Sequence, residues 1–138
     1  MTCMTYPENI QDLIDDFAFL DDWEDRYMHV IDLGKALPPL PLEAKTDVNK
    51  VKGCASQVWL VSDQKNDAWK FSGDSDAHIV KGLVAIVLEI YSGRTAEEIS
   101  KLDANDILSK LGLSEHLSAQ RANGLAAMIA RIKTEALG

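Results

Sequence analysis

The apolar residues near the start of the chain recur with the spacing of an α-helix. Ile10, Leu13 and Phe17 lie at i, i+3 and i+7, which predicts an amphipathic helix with one buried face. A second helix is predicted to begin after Asp22, an N-cap residue, and to end before the run LPPLPLE, because proline removes backbone donors. Residues 42–53 then predict an irregular approach or an edge strand.

The middle of the chain changes to the pattern of short strands. The polar stretch SDQKND is flanked by the runs SQVWLV and AWKF, which predict an antiparallel hairpin. The run that follows, GDSDAHIVKGLVAIVLEIYSG, is apolar nearly all round in its middle. It predicts a central, buried helix that begins with a capping aspartate or serine and ends at Gly93.

The last third of the chain predicts further helices. A capping box is expected from Thr95 to Glu98, and DANDILSKLG predicts a short helix closed by Gly112. The final helix is predicted to start after Ser118. Strands in the middle with helices on both sides predict an α+β fold, in which several helices pack on a small antiparallel sheet. The length fits one domain over residues 1–138.

Composition and charge narrow the classes of function. A net charge of −8 and a pI near 4.7 leave no basic stripe, which argues against nucleic acid and against an anionic membrane surface. No basic and apolar leader opens the sequence, and the run LVAIVL is too short to span a bilayer. We therefore expect a cytoplasmic protein, with reduced thiols, whose partner is a protein or a small substrate.

Ligands for a metal or a cofactor are sparse in this sequence. Its two cysteines and three histidines are scattered, with no CxxC, HxxxH or HExxH spacing. No GxGxxG or Walker loop is present for a nucleotide, and an iron–sulfur cluster normally needs about four cysteine ligands. No metal and no cofactor is therefore expected, and neither is a disulfide between Cys3 and Cys54.

Cys54 is the candidate for covalent chemistry. A single cysteine is most often a small buried hydrophobe. Here Gly53 allows a tight turn, two lysines just before it favour the thiolate, and small residues such as Ser56 leave the sulfur approachable. These neighbours favour a reactive thiol at the entrance of the first predicted strand.

Four stretches of the chain resemble the motifs of one family. The first is VKGCASQVWLV, which resembles the Gly-Cys-x-Ser-Gln-Val-Trp signature of the SufE family, the sulfur-acceptor partners of cysteine desulfurases. The others are DDWEDRYMHVIDLGKALPPLP, GDSDAHIVKGLVAIV and LGLSEHLSAQRANGLAAMIARIK. Before Arg121 the chain has Ser-Ala-Gln, where the family often shows Pro-Ser. The resemblance spans nearly the whole chain and implies the family's α+β fold, which is similar to that of IscU-like iron–sulfur scaffold proteins.

The resemblance implies that Cys54 accepts sulfur from a cysteine desulfurase and that the protein stimulates this enzyme. A separate pyridoxal-phosphate cysteine desulfurase, of the SufS or CsdA type, would hold sulfur as a persulfide on its own cysteine. The Cys54 thiolate would attack the outer sulfur and carry it onward to an iron–sulfur scaffold protein. We expect the loop to have two conformations, one that places the sulfur against apolar neighbours and one that exposes it to the partner.

A further group of residues is expected to support this loop or to bind the desulfurase: Gly53, Ser56, Gln57, Asp74, Asp76 and Arg121. Gln57 would hydrogen-bond within the loop. At least one of Asp74 and Asp76 is expected to cap the buried helix, and either would raise the thiol pKa if it approached Cys54. Arg121 is expected to bind the desulfurase, to pair with one of these aspartates, or to lie on the surface as a plain arginine.

Two other classes of function stay open. An iron–sulfur scaffold of related fold would use about three protein thiolates, and only Cys54 is well placed. A Cys–His acyl hydrolase would need a histidine within hydrogen-bond reach of Cys54 and an oxyanion hole. His78 and His116 are expected to be structural.

Overall fold

The computed structural model describes residues 7–51, 57–113 and 117–137. Its elements are α1 (Glu8–Ala18), α2 (Trp23–Ala36), β1 (Val58–Lys65), β2 (Ala68–Ser75), α3 (His78–Tyr91), β3 (Arg94–Thr95), α4 (Ala96–Lys101), α5 (Ala104–Lys110) and α6 (Ala119–Leu137). A short 3-10 helix, Leu42–Ala44, lies between α2 and β1. The α+β prediction is confirmed.

The sheet is a three-stranded antiparallel sheet in the order β1-β2-β3. The predicted hairpin is present, but its strands are longer than the pattern indicated, because SDQK continues β1 and the turn is Asn66-Asp67 alone. Both turn residues have positive φ, 57° and 72°. Asparagine and aspartate tolerate this left-handed conformation, so a two-residue turn with the twist of the hairpin is sufficient.

The entrance to α3 differs from the prediction. β2 continues to Ser75, and Asp74 is paired with Trp59 across the sheet. The helix starts at His78 after Ala77, and no side chain caps it. The expected aspartate or serine cap is therefore wrong, because strand pairing extends through these residues and carries the aspartate into the sheet.

α3 is the centre of the core, as its apolar sequence predicted. It packs against α2 on one side and β2 on the other. Gly34 and Gly82 allow a close approach of α2 and α3, since a Cβ at Gly34 would lie 2.7 Å from the Gly82 nitrogen. Gly93, with φ +79°, follows the helix and donates its N–H to the Trp69 carbonyl, which leads the chain into β3.

The C-terminal helices begin and end where their local signals predicted. The Thr95–Glu98 capping box is formed in both directions. Gly112, with φ +74°, follows α5. The Ser118 hydroxyl accepts the N–H of Arg121 at 3.2 Å and so caps α6.

Candidate functional site

The segment that carries the candidate cysteine lies between two described positions that are neighbours in space. Cys54, Gly53 and Ser56 themselves lie outside the described residues. Just before them, Val51 donates its N–H to the carbonyl of Val58 at 2.8 Å. A bridge between Lys50 and Trp59 and a bond from the Leu60 N–H to the Asn49 carbonyl continue this pairing. The chain therefore leaves and re-enters the described structure at the start of β1.

Asp76 fixes the residue that follows this segment. Its carboxylate accepts the N–H of Gln57 at 3.1 Å, and its own N–H donates to the Gln57 carbonyl at 3.3 Å. The side chain expected to cap α3 instead binds the backbone of Gln57, at the end of the cysteine segment. The hydrogen bond predicted for Gln57 within the cysteine loop involves residues that lie outside the described ones, so it stays a prediction.

Asp74 is a buried carboxylate with four partners. Only 2% of its surface is exposed. One oxygen accepts the Leu40 N–H at 3.1 Å and lies 3.3 Å from the Lys45 ammonium. The other accepts the Ser75 N–H at 2.8 Å and lies 3.4 Å from the Lys81 ammonium.

These partners keep Asp74 ionised. Burial by itself raises the pKa of this carboxyl, but the two amide hydrogen bonds, together with Lys45 and Lys81, outweigh it and lower the pKa. Lys45 also lies over the Trp59 ring, 5.3 Å from its centroid. The charge cluster thereby joins β2, α3 and the chain that leads toward Cys54.

A pocket of about 300 Å³ opens between α3 and α6 beside the start of β1. Its apolar wall includes Val58, Leu83, Leu125 and Met128. Arg121, which is half-buried, contributes a positive charge to the lining. The pocket therefore combines this apolar wall with polar residues, Ser118 and Gln120, and with Arg121.

Arg121 does not pair with the aspartates. Within residues 7–51, 57–113 and 117–137, its guanidinium forms no ion pair with Asp74 or Asp76. Asp74 instead uses Lys45 and Lys81, which the sequence reasoning did not single out. Lys81 lies one helical turn into α3 and could have been noticed for that reason, whereas no local pattern indicates Lys45.

Two of the three histidines lie among the described residues, on α2 and α3. His78 is exposed at the start of α3, and the His29 ring packs edge-on against Phe17 with centroids 4.8 Å apart. His116 lies outside the described residues. Among the residues that are described, no three His, Cys, Asp or Glu side chains are grouped to hold a metal ion. Nor is any helix in this part of the chain long and apolar enough to cross a membrane.

The fold is that of a solved structure with little sequence in common. The solution structure of a hypothetical protein from Thermus thermophilus superposes with a TM-score of 0.77 at 18% identity, over 96% of each chain. This likeness shows the fold alone.

Sequence comparison places the chain in a family. The model of the SufE domain, described as an Fe-S metabolism associated domain, matches residues 11–136. The chain therefore belongs to the SufE family, and the predicted resemblance is confirmed.

Two relatives match over nearly their whole length. A SufE-like protein of Rhizobium meliloti (strain 1021) is 61% identical over 134 residues, which is 94% of this chain and 96% of the relative. A SufE-like protein of Rhizobium etli is 61% identical over 132 residues, covering 93% and 89%. Membership of this family associates the protein with Fe–S metabolism.

Proposed function

We propose that this protein is a cytoplasmic sulfur acceptor that takes persulfide sulfur from a partner cysteine desulfurase onto Cys54. It stimulates that desulfurase and delivers the sulfur to an iron–sulfur scaffold protein. The observation that carries the proposal is the pairing of Val51 with Val58, which brings the two ends of the cysteine segment together where a pocket lined by Val58 and Arg121 opens.

Chain length limits where the thiol acts. Cys54 is three residues from Val51 and three from Gln57. Three residues of extended chain span at most about 11 Å. Because Val58 lines the pocket, this reach supports a thiol that rests against the pocket and leaves it for a donor.

The proposed transfer needs only a thiolate and a persulfide. The Cys54 thiolate attacks the outer sulfur of the desulfurase persulfide, forming a new S–S bond. The donor's S–S bond breaks, and its cysteine leaves as a thiolate. The proton of the outer sulfur stays on it or is lost to water, so atoms and electrons balance without an added oxidant or reductant.

Arg121 supports the charged states of this reaction. A guanidinium is always protonated, and a positive charge near a thiol favours the thiolate. Its place in the pocket lining suits this role or direct binding of the desulfurase.

An intact-mass experiment tests the proposal. The protein is incubated with a cysteine desulfurase and free cysteine, and its mass is measured without reductant. We expect a gain of sulfur that disappears in Cys54→Ser and persists in the matched control Cys3→Ser. An unmodified wild-type protein, together with unchanged desulfurase turnover, would refute the proposal. Anaerobic incubation with iron and sulfide is the companion control, because a scaffold would develop a chromophore.

A further inference from the structure

Arg131 of α6 contacts the chain that leads to Cys54. Its Nη2 donates to the carbonyl oxygen of Val48 at 2.8 Å, and its Nη1 donates to that of Lys50 at 3.4 Å. These residues are 83 and 81 positions apart in sequence from Arg131, respectively. The contact therefore joins the last helix to the last described turn before the cysteine segment.

The same two peptide groups are also bonded on their opposite sides. The peptide between Lys50 and Val51 offers its carbonyl to Arg131 and its N–H to Val58. The peptide between Val48 and Asn49 offers its carbonyl to Arg131 and its N–H to the Thr46 carbonyl. The next carbonyl, that of Asn49, accepts the N–H of Leu60 in β1. The guanidinium thus completes the hydrogen bonding of a chain that is paired to β1 on one edge only.

Apolar packing holds one end of this chain, since Val51 is 3% exposed and belongs to the core, but not the end at Val48. A groove of about 400 Å³ separates residues 47–51 from α6, and its helical wall is formed largely by small side chains such as Ala127 and Ala130. Val48, at the groove, is 80% exposed. The polar link through Arg131 spans this groove and reaches its exposed end at Val48.

We propose that Arg131 is a positioning residue for sulfur acceptance, which holds the entrance of the cysteine segment against β1. This inference rests on the proposed function. Arginine is suited to the task because its planar fork presents two donors at once, whereas a lysine ammonium is a single point of charge. Fixing Val51 limits the positions open to Cys54, and correct placement of a nucleophile governs its rate.

The anchoring is tested first without any partner protein. In Arg131→Met, which keeps the aliphatic stem but removes the donors, we expect the Val51 and Leu60 amides to exchange about tenfold faster. A tenfold change corresponds to about 1.4 kcal/mol. The Phe71 amide, bonded to Ser92 in another part of the sheet, should keep its protection. The matched control is Lys133→Met, which removes a positive charge from the same helix. Unchanged exchange at Val51 would overturn the anchoring role.

Sulfur transfer then tests the positioning role. We expect kcat/KM for sulfur acceptance to fall about tenfold in Arg131→Met, less in Arg131→Lys, and not at all in Lys133→Met. If exchange at Val51 increases but transfer is unaffected, the positioning role is wrong. If wild-type protein accepts no sulfur, the proposed function fails while the exchange result still decides the anchoring. Arg131→Gln, which retains a donor, provides the same comparison should the methionine variant not fold.

Discussion

Asp74→Asn replaces the buried carboxylate with a neutral group of nearly the same shape. The amide oxygen still accepts from a backbone N–H, but the ion pairs with Lys45 and Lys81 are lost. Removing one partner from a fully buried ion pair costs about 3–5 kcal/mol. Here the lysine side chains are 30% and 22% exposed and can be hydrated when unpaired, which reduces the cost. We expect a loss of roughly 2–3 kcal/mol in the free energy of unfolding.

Thermal and urea unfolding measure this loss. For a chain of this length, 2–3 kcal/mol corresponds to a fall in Tm of roughly 10 °C. The control is Asp63→Asn, an exposed aspartate on β1, which we expect to lie within about 0.5 kcal/mol of wild type. If Asp74→Asn changed the free energy of unfolding at neutral pH as little as Asp63→Asn does, the stabilising role assigned to the charge cluster would be wrong.

The pH dependence gives an independent check on Asp74. Its pKa is lowered in the folded protein, so the unfolded state binds a proton at higher pH than the folded state does. The ionised carboxylate therefore contributes its full stability above the ordinary aspartate pKa of 3.8. That contribution is lost as the pH falls below 3.8 and through the lowered folded value. We expect the difference between wild type and Asp74→Asn to be constant at neutral pH and to shrink in this acid range. A pH-independent difference would refute the electrostatic explanation.

Two further predictions concern the core and the pocket. Gly82→Ala should lower the free energy of unfolding, measured in urea, by about 3 kcal/mol or more, because the added Cβ collides with the Val30 backbone. The control Gly93→Ala should lower it by only about 1 kcal/mol, because the added Cβ contacts nothing and the cost comes from the positive φ alone. A mild Gly82→Ala would contradict the close helix approach. Arg121→Met should raise the pKa of the Cys54 thiol, measured as the pH dependence of alkylation, whereas Arg121→Lys should retain much of the wild-type value. An identical alkylation profile in Arg121→Met would remove its electrostatic role.

Local signals in the sequence were sufficient for most helices. The spacing of Ile10, Leu13 and Phe17 predicted α1, and these side chains are buried in the core. The Thr95–Glu98 capping box and Gly112 lie where predicted, because such interactions join residues only a few positions apart. The family motifs likewise required only the order of residues along the chain.

The same local rules misassigned the aspartates before α3. An aspartate ahead of an apolar helix ordinarily indicates a cap. Asp74 instead pairs across the sheet and binds Lys81 and the more distant Lys45. Asp76 instead binds the backbone of Gln57. Each competing interaction joins segments that only folding brings together.

The sequence by itself determined most helices, the hairpin and the family, and it led to the proposal of Cys54 as sulfur acceptor. The tertiary structure decided that the chain entering and leaving the cysteine segment is paired, and that a pocket lined by Val58 and Arg121 opens at the start of β1. It also brought Arg131 into hydrogen-bond contact with Val48, 83 positions earlier in the sequence, just before the cysteine segment. Helix periodicity and capping follow from neighbours along the chain, whereas these contacts depend on how α3, α6 and β1 pack, which no local pattern records.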